Sequence, residues 1–297
     1  MRILVTGSTG YVGSNLVPLL AAKNQILEIT RNLEKSHKLF GSTTRKYLLN
    51  NDQNSLVEEV REFNPQIVIH LAAKLGSSDE YNEAINYLDA NIYFLTRILD
   101  AIKGCNIKLF INTGTFAEKF SQDGFSYPAY FYAATKTASR SLVDYYSQLC
   151  SFKQITVVPF SIYGKKDSNK KIIDIIIDSL DSNDPVPLTP GNQILDFIHI
   201  DDVLRGYMKI IENLDLLPNK SNIELGTGKG HSLKELASII EVISNKKTNI
   251  IWGAKSYRPL DPMVSIANMN YVNELIEWSA QIPLSDGIKL YLKHHIK

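Results

Sequence analysis

The feature that most constrains this chain is the alternation of short apolar runs with segments of helical period along its first half. Arg2–Thr6 is a short apolar run ended by glycine, which is typical of a buried parallel strand. Strand-length runs follow at residues 26–29, 47–49, 66–71, 108–112 and 154–159, and helical segments lie at residues 11–22, 56–63, 84–103 and 132–150. This alternation predicts an α/β fold, a Rossmann-type doubly wound parallel sheet with helices on both faces.

The pattern loosens after Tyr163 and Gly164, where prolines at 185, 187 and 190 separate shorter elements. We therefore predict two domains. Residues 1–163 form a dinucleotide-binding Rossmann domain, and residues 164–297 form a smaller α/β substrate-binding lobe. Part of the segment 195–225 is expected to pack back on the Rossmann domain.

Composition restricts the possible partners. The 297 residues are 44% hydrophobic and 21% charged, with a formal net charge of +1. This balance is ordinary for a globular protein and provides no field to attract nucleic acid or an anionic membrane. The sequence has neither a bilayer-length apolar stretch nor a secretory signal pattern, so we expect a cytoplasmic protein. The spacing of histidines, cysteines and carboxylates predicts no metal site.

A glycine-rich segment, TGSTGYVG, lies directly between the first predicted strand and the first predicted helix. Gly7, Gly10 and Gly13 would allow a tight turn, a close approach of the backbone to a pyrophosphate, and close packing of helix on strand. The helix N-terminus would add amide donors and a favourable dipole. The spacing is G-x-x-G-x-x-G, and in this position it favours dinucleotide binding over a merely structural turn.

The end of the second strand indicates which dinucleotide is bound. A carboxylate there would accept a hydrogen bond from the adenosine ribose and select NAD. This chain instead has Arg31 and Asn32 at the tip, while Glu28 lies too early in the strand to reach the ribose. A guanidinium pairs well with a 2′-phosphate, so we predict NADPH as the cofactor. The alternative is that Arg31 is a solvated surface residue.

Taken together, these segments resemble the extended short-chain dehydrogenase/reductase family that acts on nucleotide sugars. The resemblance covers nearly the whole chain. It is carried by TGSTGYVG, VIHLAA (68–73), DAN (89–91), NTGT (112–115), YAATK (132–136), IYG (162–164), DFIHIDDV (196–203), ELGTGKGHSLKEL (224–236) and YRPLDP (257–262). Within the family, NTGTF, YAATK and LDFIHIDDV are most similar to the segments of CDP-abequose and CDP-paratose synthases.

The resemblance implies that Tyr132 is the catalytic acid and Lys136 its partner, one helical turn apart on one helix face. The Lys136 ammonium, together with the charge of an oxidised nicotinamide, would favour the phenolate. We therefore expect the pKa of Tyr132 to fall below its ordinary value of about 10. Thr113 would donate a hydrogen bond to the substrate carbonyl, and Thr115 would contact the same sugar. The alternative for both threonines is that they cap the end of a strand.

The resemblance also assigns binding residues. The cofactor would be held by Gly7, Thr9, Gly10, Tyr11, Val12, Gly13, Arg31, Asn32, Asp52, Leu71, Ala72, Ala73, Asn91, Tyr132 and Lys136. The substrate would be held by Thr113, Thr115, Ser161 and Arg258. Arg258 matches the arginine that grips the pyrophosphate of the sugar nucleotide in relatives, unless it is only a surface residue. Leu195 and Val158 stand where relatives carry arginine, which puts part of the nucleotide site in doubt.

The reaction follows from what the strand-end motif lacks. Related 4,6-dehydratases follow this threonine with Asp-Glu, whereas here Gly114 and Thr115 follow, and neither can act as an acid or base at neutral pH. Simple carbonyl reduction therefore remains. The resemblance to CDP-abequose and CDP-paratose synthases implies NADPH-dependent reduction of the C4 ketone of a CDP- or dTDP-linked 4-keto-deoxy sugar, supplying a deoxyhexose for a surface polysaccharide such as lipopolysaccharide O-antigen. The alternatives are a nucleotide-sugar 4-epimerase with tightly bound NAD and a non-catalytic NADP-binding sensor.

The resemblance further implies a homodimer, since the two long helices at residues 84–103 and 132–150 form a four-helix contact in many members. Ile92, Leu95, Leu99 and Leu142 are apolar positions that could serve either this contact or the core.

Overall fold

A computed structural model describes residues 1–119, 125–165 and 169–295 of the chain. Its strands are β1 (Arg2–Thr6), β2 (Gln25–Thr30), β3 (Arg45–Leu48), β4 (Ile67–His70), β5 (Leu109–Thr113), β6 (Lys153–Pro159), β7 (Ser161–Tyr163), β8 (Val186–Leu188), β9 (Ile194–His199), β10 (Ser221–Leu225), β11 (Gly230–Ser232), β12 (Ile250–Trp252) and β13 (Val264–Ser265). Its α-helices are α1 (Tyr11–Ala21), α2 (Leu33–Phe40), α3 (Gln53–Phe63), α4 (Tyr81–Leu88), α5 (Phe94–Ala101), α6 (Phe131–Cys150), α7 (Ile172–Asp178), α8 (Ile200–Glu212), α9 (Leu233–Ser244), α10 (Met269–Ile276) and α11 (Leu284–His295).

The chain divides into two compact units. The first comprises Met1–Val158 and Ile211–Ile223, and the second comprises Pro159–Ile210 and Glu224–Lys297. It stays a prediction that one part of the chain binds the dinucleotide and the other binds the substrate.

The main sheet has seven strands in the order β10-β6-β5-β4-β1-β2-β3. The pairs from β3 through β2, β1, β4 and β5 to β6 are all parallel. Read from β3, this is the 3-2-1-4-5-6 order of the doubly wound dinucleotide-binding fold, with its switch point between β1 and β4. The predicted fold class is therefore confirmed.

Both faces of this sheet are buried, because its strands alternate their side chains between two sets of helices. On one face Leu4, Val68 and Phe110 join a core with apolar residues of α3, α5 and α6. On the other face α1 packs on β1 and β2. The strands are accordingly apolar almost throughout, as expected for a parallel sheet covered on both sides.

A row of buried polar residues crosses the sheet near the carboxyl ends of its strands. Thr6, His70, Asn112 and Thr156 lie side by side on β1, β4, β5 and β6. Thr6 Oγ1 is 2.9 Å from His70 Nδ1. Parallel strands place their carboxyl ends at one edge, and in this fold ligands bind at that edge. Thr113, which follows Asn112, therefore emerges at the predicted binding edge.

The second unit contains the smaller sheets. One has the order β11-β9-β13, with β7 also pairing with β9, and the other pairs β12 with β8. Its core includes Tyr163, Phe197, Leu236 and Tyr291. Pro187 lies within β8, at an edge position where a missing backbone donor is tolerated.

The long helix predicted at residues 84–103 is interrupted by a wide π-helical turn at Asp89–Tyr93, between α4 and α5. Such turns occur often at functional sites. In the described part of the chain, no helix has the length and apolar character needed to cross a bilayer.

Candidate active site

The glycine loop after β1 is shaped by contacts of its own backbone. Gly7 has φ +70°, and a Cβ there would lie 2.6 Å from the Ala72 backbone nitrogen. A Cβ at Gly13 would lie 2.2 Å from the Gly7 carbonyl oxygen. Neither position has room for a side chain, so these two glycines close the loop onto β4 and α1.

Gly10 differs from its two neighbours. A Cβ there would meet only the Gly7 carbonyl oxygen, at 3.2 Å. Gly10 is exposed and begins α1 with extended backbone, and among the described residues no side chain caps this helix. The open space beside uncapped amides fits a pyrophosphate, because a Cβ would fill that cradle. Thr9, Tyr11 and Val12, also assigned to the cofactor, are partly exposed around it.

The end of β4 is held against the same loop. The Leu71 amide donates to the Thr6 carbonyl, at 3.2 Å, and the Ala72 amide donates to Thr6 Oγ1, at 3.3 Å. Leu71, Ala72 and Ala73 are partly exposed there. The structure thus brings two separate parts of the predicted cofactor site together.

The tip of β2 carries no available acid. Glu28 is fully buried and accepts hydrogen bonds from the hydroxyls of Ser36 and Thr44, with the Lys46 ammonium 3.7 Å away. Arg31 is exposed at the strand end. Asn32 begins α2 and accepts from the Lys35 amide, at 2.8 Å. These placements fit a cofactor that carries a 2′-phosphate, because the guanidinium at the tip is exposed and the acid is not.

Two residues assigned to the cofactor have contacts within the protein. Asp52 caps α3 by accepting from the amides of Asn54 and Ser55. Asn91 is buried in the π-helical turn, where its amide group donates to Thr135 Oγ1, at 2.9 Å, and accepts from the Lys74 amide, at 2.8 Å. Both side chains therefore stabilise the surrounding structure, and their contact with a cofactor stays a prediction.

Tyr132 and Lys136 both lie in the first half of α6 and are 8% and 2% exposed. Tyr130 precedes the helix and Phe131 is exposed, so neither shares the buried face of Tyr132. Thr113, at the end of β5, is partly exposed. A buried phenol one helical turn from a buried amine is an arrangement that can serve proton transfer at a carbonyl.

The expected lowering of the Tyr132 pKa is wrong for the chain itself. Burial raises the pKa of Tyr132 well above its usual value, and the nearby Glu118 carboxylate raises it further. A hydrogen bond from Thr115 acts in the opposite direction but is the smaller effect. The expectation failed because it counted the lysine charge and left out both desolvation and Glu118.

Burial also lowers the pKa values of Lys136 and His70. It lowers the pKa of Lys136 from 10.5 to about 8, although Glu118 opposes that change. His70 is fully buried, and burial together with the charge of Lys136 lowers its pKa to about 3. His70 is therefore neutral at physiological pH, and it packs against Phe94 and Phe110.

Two residues at this site were missed by sequence reasoning. Glu118 is fully buried after β5, and Arg140 of α6 forms a bidentate ion pair with it, with Nε–Oε2 and Nη2–Oε1 distances of 2.6 and 3.0 Å. The signals were present, since Thr115 and Glu118 have the spacing of a capping box and Arg140 lies one turn after Lys136.

The remaining substrate residues belong to the second unit. Ser161 begins β7 and is partly exposed, and Arg258 is exposed with its backbone amide donating to Asp261, at 2.9 Å. Their contact with a sugar nucleotide stays a prediction. Within the residues that the structure describes, no group of three or more histidine, cysteine or carboxylate side chains could hold a metal ion.

Comparison with known proteins identifies the family. The profile of the NAD dependent epimerase/dehydratase family matches residues 3–226. A CDP-abequose synthase of Yersinia pseudotuberculosis is 32% identical over 264 residues, covering 87% of this chain and 89% of the relative. A CDP-abequose synthase of Salmonella typhimurium is 29% identical and covers 98% and 97% of the two chains. The chain belongs to the NAD-dependent epimerase/dehydratase family, which confirms the predicted resemblance.

Solved structures agree on the fold. UDP-glucuronic acid 4-epimerase from Bacillus cereus, in complex with a UDP-sugar analogue and NAD, matches with a TM-score of 0.88 at 22% identity, over 99% of this chain and 98% of that one. UDP-glucose 4-epimerase from Thermotoga maritima matches with a TM-score of 0.87 at 20% identity, over the same shares. At these identities the likeness concerns the fold alone.

Proposed function

We propose that this protein is an NADPH-dependent 4-ketoreductase of a nucleotide-linked 4-keto-deoxy sugar, with CDP or dTDP as the nucleotide. The relatives named CDP-abequose synthase support the substrate class, since they align with most of the chain. The supply of a deoxyhexose to a surface polysaccharide is part of the same proposal.

The observation that carries the reductase reading is the alignment of CDP-abequose synthases with most of the chain, and the buried phenol of Tyr132 fits it. A reductase must give a proton to the ketone oxygen, so its phenol has to be protonated when the reaction starts. Burial and the Glu118 carboxylate both raise the pKa of Tyr132 and keep it in this form.

The roles of the other residues follow from their places. Thr113 would donate a hydrogen bond to the ketone oxygen, and Tyr132 would donate the proton to the same atom. Lys136, mostly protonated at pH 7 with a pKa of about 8, would hold the nicotinamide ribose. Bound NADPH would supply the hydride.

Dehydration is disfavoured because Gly114 and Thr115 replace the acid and base of a dehydratase, and because position 114 has no room for a side chain. A Cβ at Gly114 would lie 2.6 Å from Glu118 Oε1 and 2.8 Å from Arg140 Nη2. The place that a dehydratase gives to its aspartate is thus next to an ion pair of this chain. This leaves carbonyl reduction as the favoured chemistry.

The function can be tested by mixing the purified protein with NADPH and with CDP- and dTDP-linked 4-keto-deoxy sugars while absorbance at the reduced-nicotinamide band is followed. We expect stoichiometric oxidation of NADPH with at least one substrate. Purification with NAD that dialysis does not remove, and interconversion of C4 epimers without net oxidation, would instead identify the epimerase alternative. Absence of turnover with every substrate would favour the sensor alternative.

We also propose that the protein forms a homodimer through α4 and α6. Leu95 and Leu99 are fully buried in the core, so these two positions cannot serve the contact that the sequence suggested. Other apolar residues of these helices are exposed, among them Ile85, Tyr145 and Leu149. Light scattering should report a dimer at micromolar concentration, and Leu149→Glu should shift it toward monomer. A monomeric wild type would contradict this proposal.

A further inference from the structure

Glu118 is a buried carboxylate that the proposed reaction does not use. It ends the short 3-10 turn Phe116–Glu118, which follows β5, and its side chain is fully buried. A buried carboxylate is costly unless it is paired and hydrogen-bonded. Here it accepts from the Thr115 amide, at 2.8 Å, and from two nitrogens of Arg140.

Arg140 extends this contact to α6. It lies one helical turn after Lys136 and two turns after Tyr132, so the three side chains share one face of the helix. Its side chain is 16% exposed, and a further nitrogen, Nη1, donates to Asn222 Oδ1. The bidentate geometry fixes the distance and the angle between α6 and the turn after β5.

Thr115 connects the ion pair to the phenol. It forms a capping box with Glu118, in which Thr115 Oγ1 accepts from the Ala117 amide, at 3.3 Å. Since that contact uses the hydroxyl as an acceptor, its proton is available, and the hydroxyl lies close enough to Tyr132 to lower the pKa of the phenol. The interactions therefore run from Arg140 through Glu118 and Thr115 to the phenol.

We propose that Glu118 and Arg140 are positioning residues of the active site, which hold Thr115 against Tyr132 and place a fixed pair of opposite charges beside Lys136. The proposal rests on the proposed function only in taking Tyr132 as the proton donor. In this proposal Glu118 and Arg140 act through Thr115 and Lys136, and not by direct contact with substrate or cofactor.

The two charges should act on Lys136 in opposite directions. Glu118 favours its ammonium form and raises its pKa, whereas Arg140 lowers it. A pair of charges too distant from Lys136 would have no such signed effect. Lys136 therefore reports on the pair even when no substrate is turned over.

The test is an NMR titration of the full-length protein labelled with ¹³C at the lysine ε-carbon. The resonance that Lys136→Met removes should titrate near pH 8 in the wild type. In Glu118→Gln its midpoint should move to lower pH, and in Arg140→Met to higher pH, each by on the order of one unit. Glu28→Gln, which changes an equally buried carboxylate on β2, is the matched control and should leave the midpoint unchanged.

Midpoints that stay at the wild-type value in both variants, or that move in the same direction, would overturn the proposal. If Glu118→Gln does not fold, the direction of the Arg140→Met shift decides alone. Because the titration needs no substrate, its outcome is independent of whether the proposed reduction occurs.

Steady-state kinetics of a further variant provide a second test of the positioning role. Arg140→Lys keeps the charge but loses the bidentate contact, so it should leave the Lys136 midpoint near pH 8 and lower kcat by on the order of tenfold through misplacement of Thr115. The KM for NADPH should change little. An unchanged kcat in this variant would refute the positioning role.

Discussion

The loop after β1 and the turn after β5 lie at the same edge of the main sheet, yet they are built by different means. Gly7 and Gly13 are glycines because backbone atoms fill the space beside them. The turn after β5 instead depends on the buried pair of Glu118 and Arg140. The proposed cofactor loop is therefore determined by close contacts between backbone atoms. The proposed catalytic centre is determined instead by charged side chains that are buried away from water.

The largest expected effect concerns the catalytic centre. Tyr132→Phe removes one hydroxyl and keeps the ring, so the fold and NADPH binding should be preserved. The reduction rate should fall on the order of 10²–10⁴-fold, the usual loss for a positioned acid. Tyr130→Phe is the matched control and should cost far less in steady-state kinetics. Near-wild-type turnover by Tyr132→Phe would show that its burial serves packing only.

A smaller effect is expected at the tip of β2. Arg31→Asp should reverse the preference for NADPH over NADH, because it removes a charge-assisted contact and repels the 2′-phosphate. We expect NADPH affinity to fall about 10–100-fold, corresponding to the loss of one hydrogen bond to a charged group. Fluorescence titration measures both affinities. A wild type that prefers NADH would refute this interpretation of the tip.

The glycine loop offers a matched pair of variants. Gly13→Ala would place a Cβ 2.2 Å from a carbonyl oxygen, and we expect it to destabilise the fold by about 1–3 kcal/mol. Gly10→Ala should fold normally and weaken only NADPH binding, since its Cβ would enter the open cradle. Urea unfolding and cofactor titration separate the two. Equal loss of stability in both variants would show that the cradle is not open.

The burial of the Lys136 amine should make the free energy of unfolding depend on pH. Burial lowers the pKa of Lys136 from 10.5 to about 8, so between pH 8 and 10 the unfolded chain binds more protons there than the folded protein. The free energy of unfolding of the wild type, relative to Lys136→Met, should therefore rise across this window, by on the order of 1–2 kcal/mol. Chemical denaturation at several pH values measures it. A flat or falling difference would mean that Lys136 is not desolvated.

The sequence predicts the features that depend on neighbouring residues, such as the glycine loop, better than those that depend on side chains from distant segments. The alternation of strands and helices and the glycine loop could be inferred because hydrophobic period and glycine spacing are local properties. The π-helical turn at Asp89–Tyr93 and the rise in the Tyr132 pKa could not. Both depend on which side chains from distant segments become buried together. Glu118 has a local capping signature, but its pairing with Arg140 appears only once β5 and α6 are packed.

The central claim is that the protein transfers hydride from NADPH to the C4 carbon of a nucleotide-linked keto sugar. The most direct measurement uses NADPH deuterated at the transferable position, together with a CDP-linked 4-keto-deoxy sugar that the protein turns over, and analyses the product by NMR. The account predicts one deuterium at C4 and one NADP formed for each product molecule. Product without deuterium, or epimers formed with no net consumption of NADPH, would contradict it.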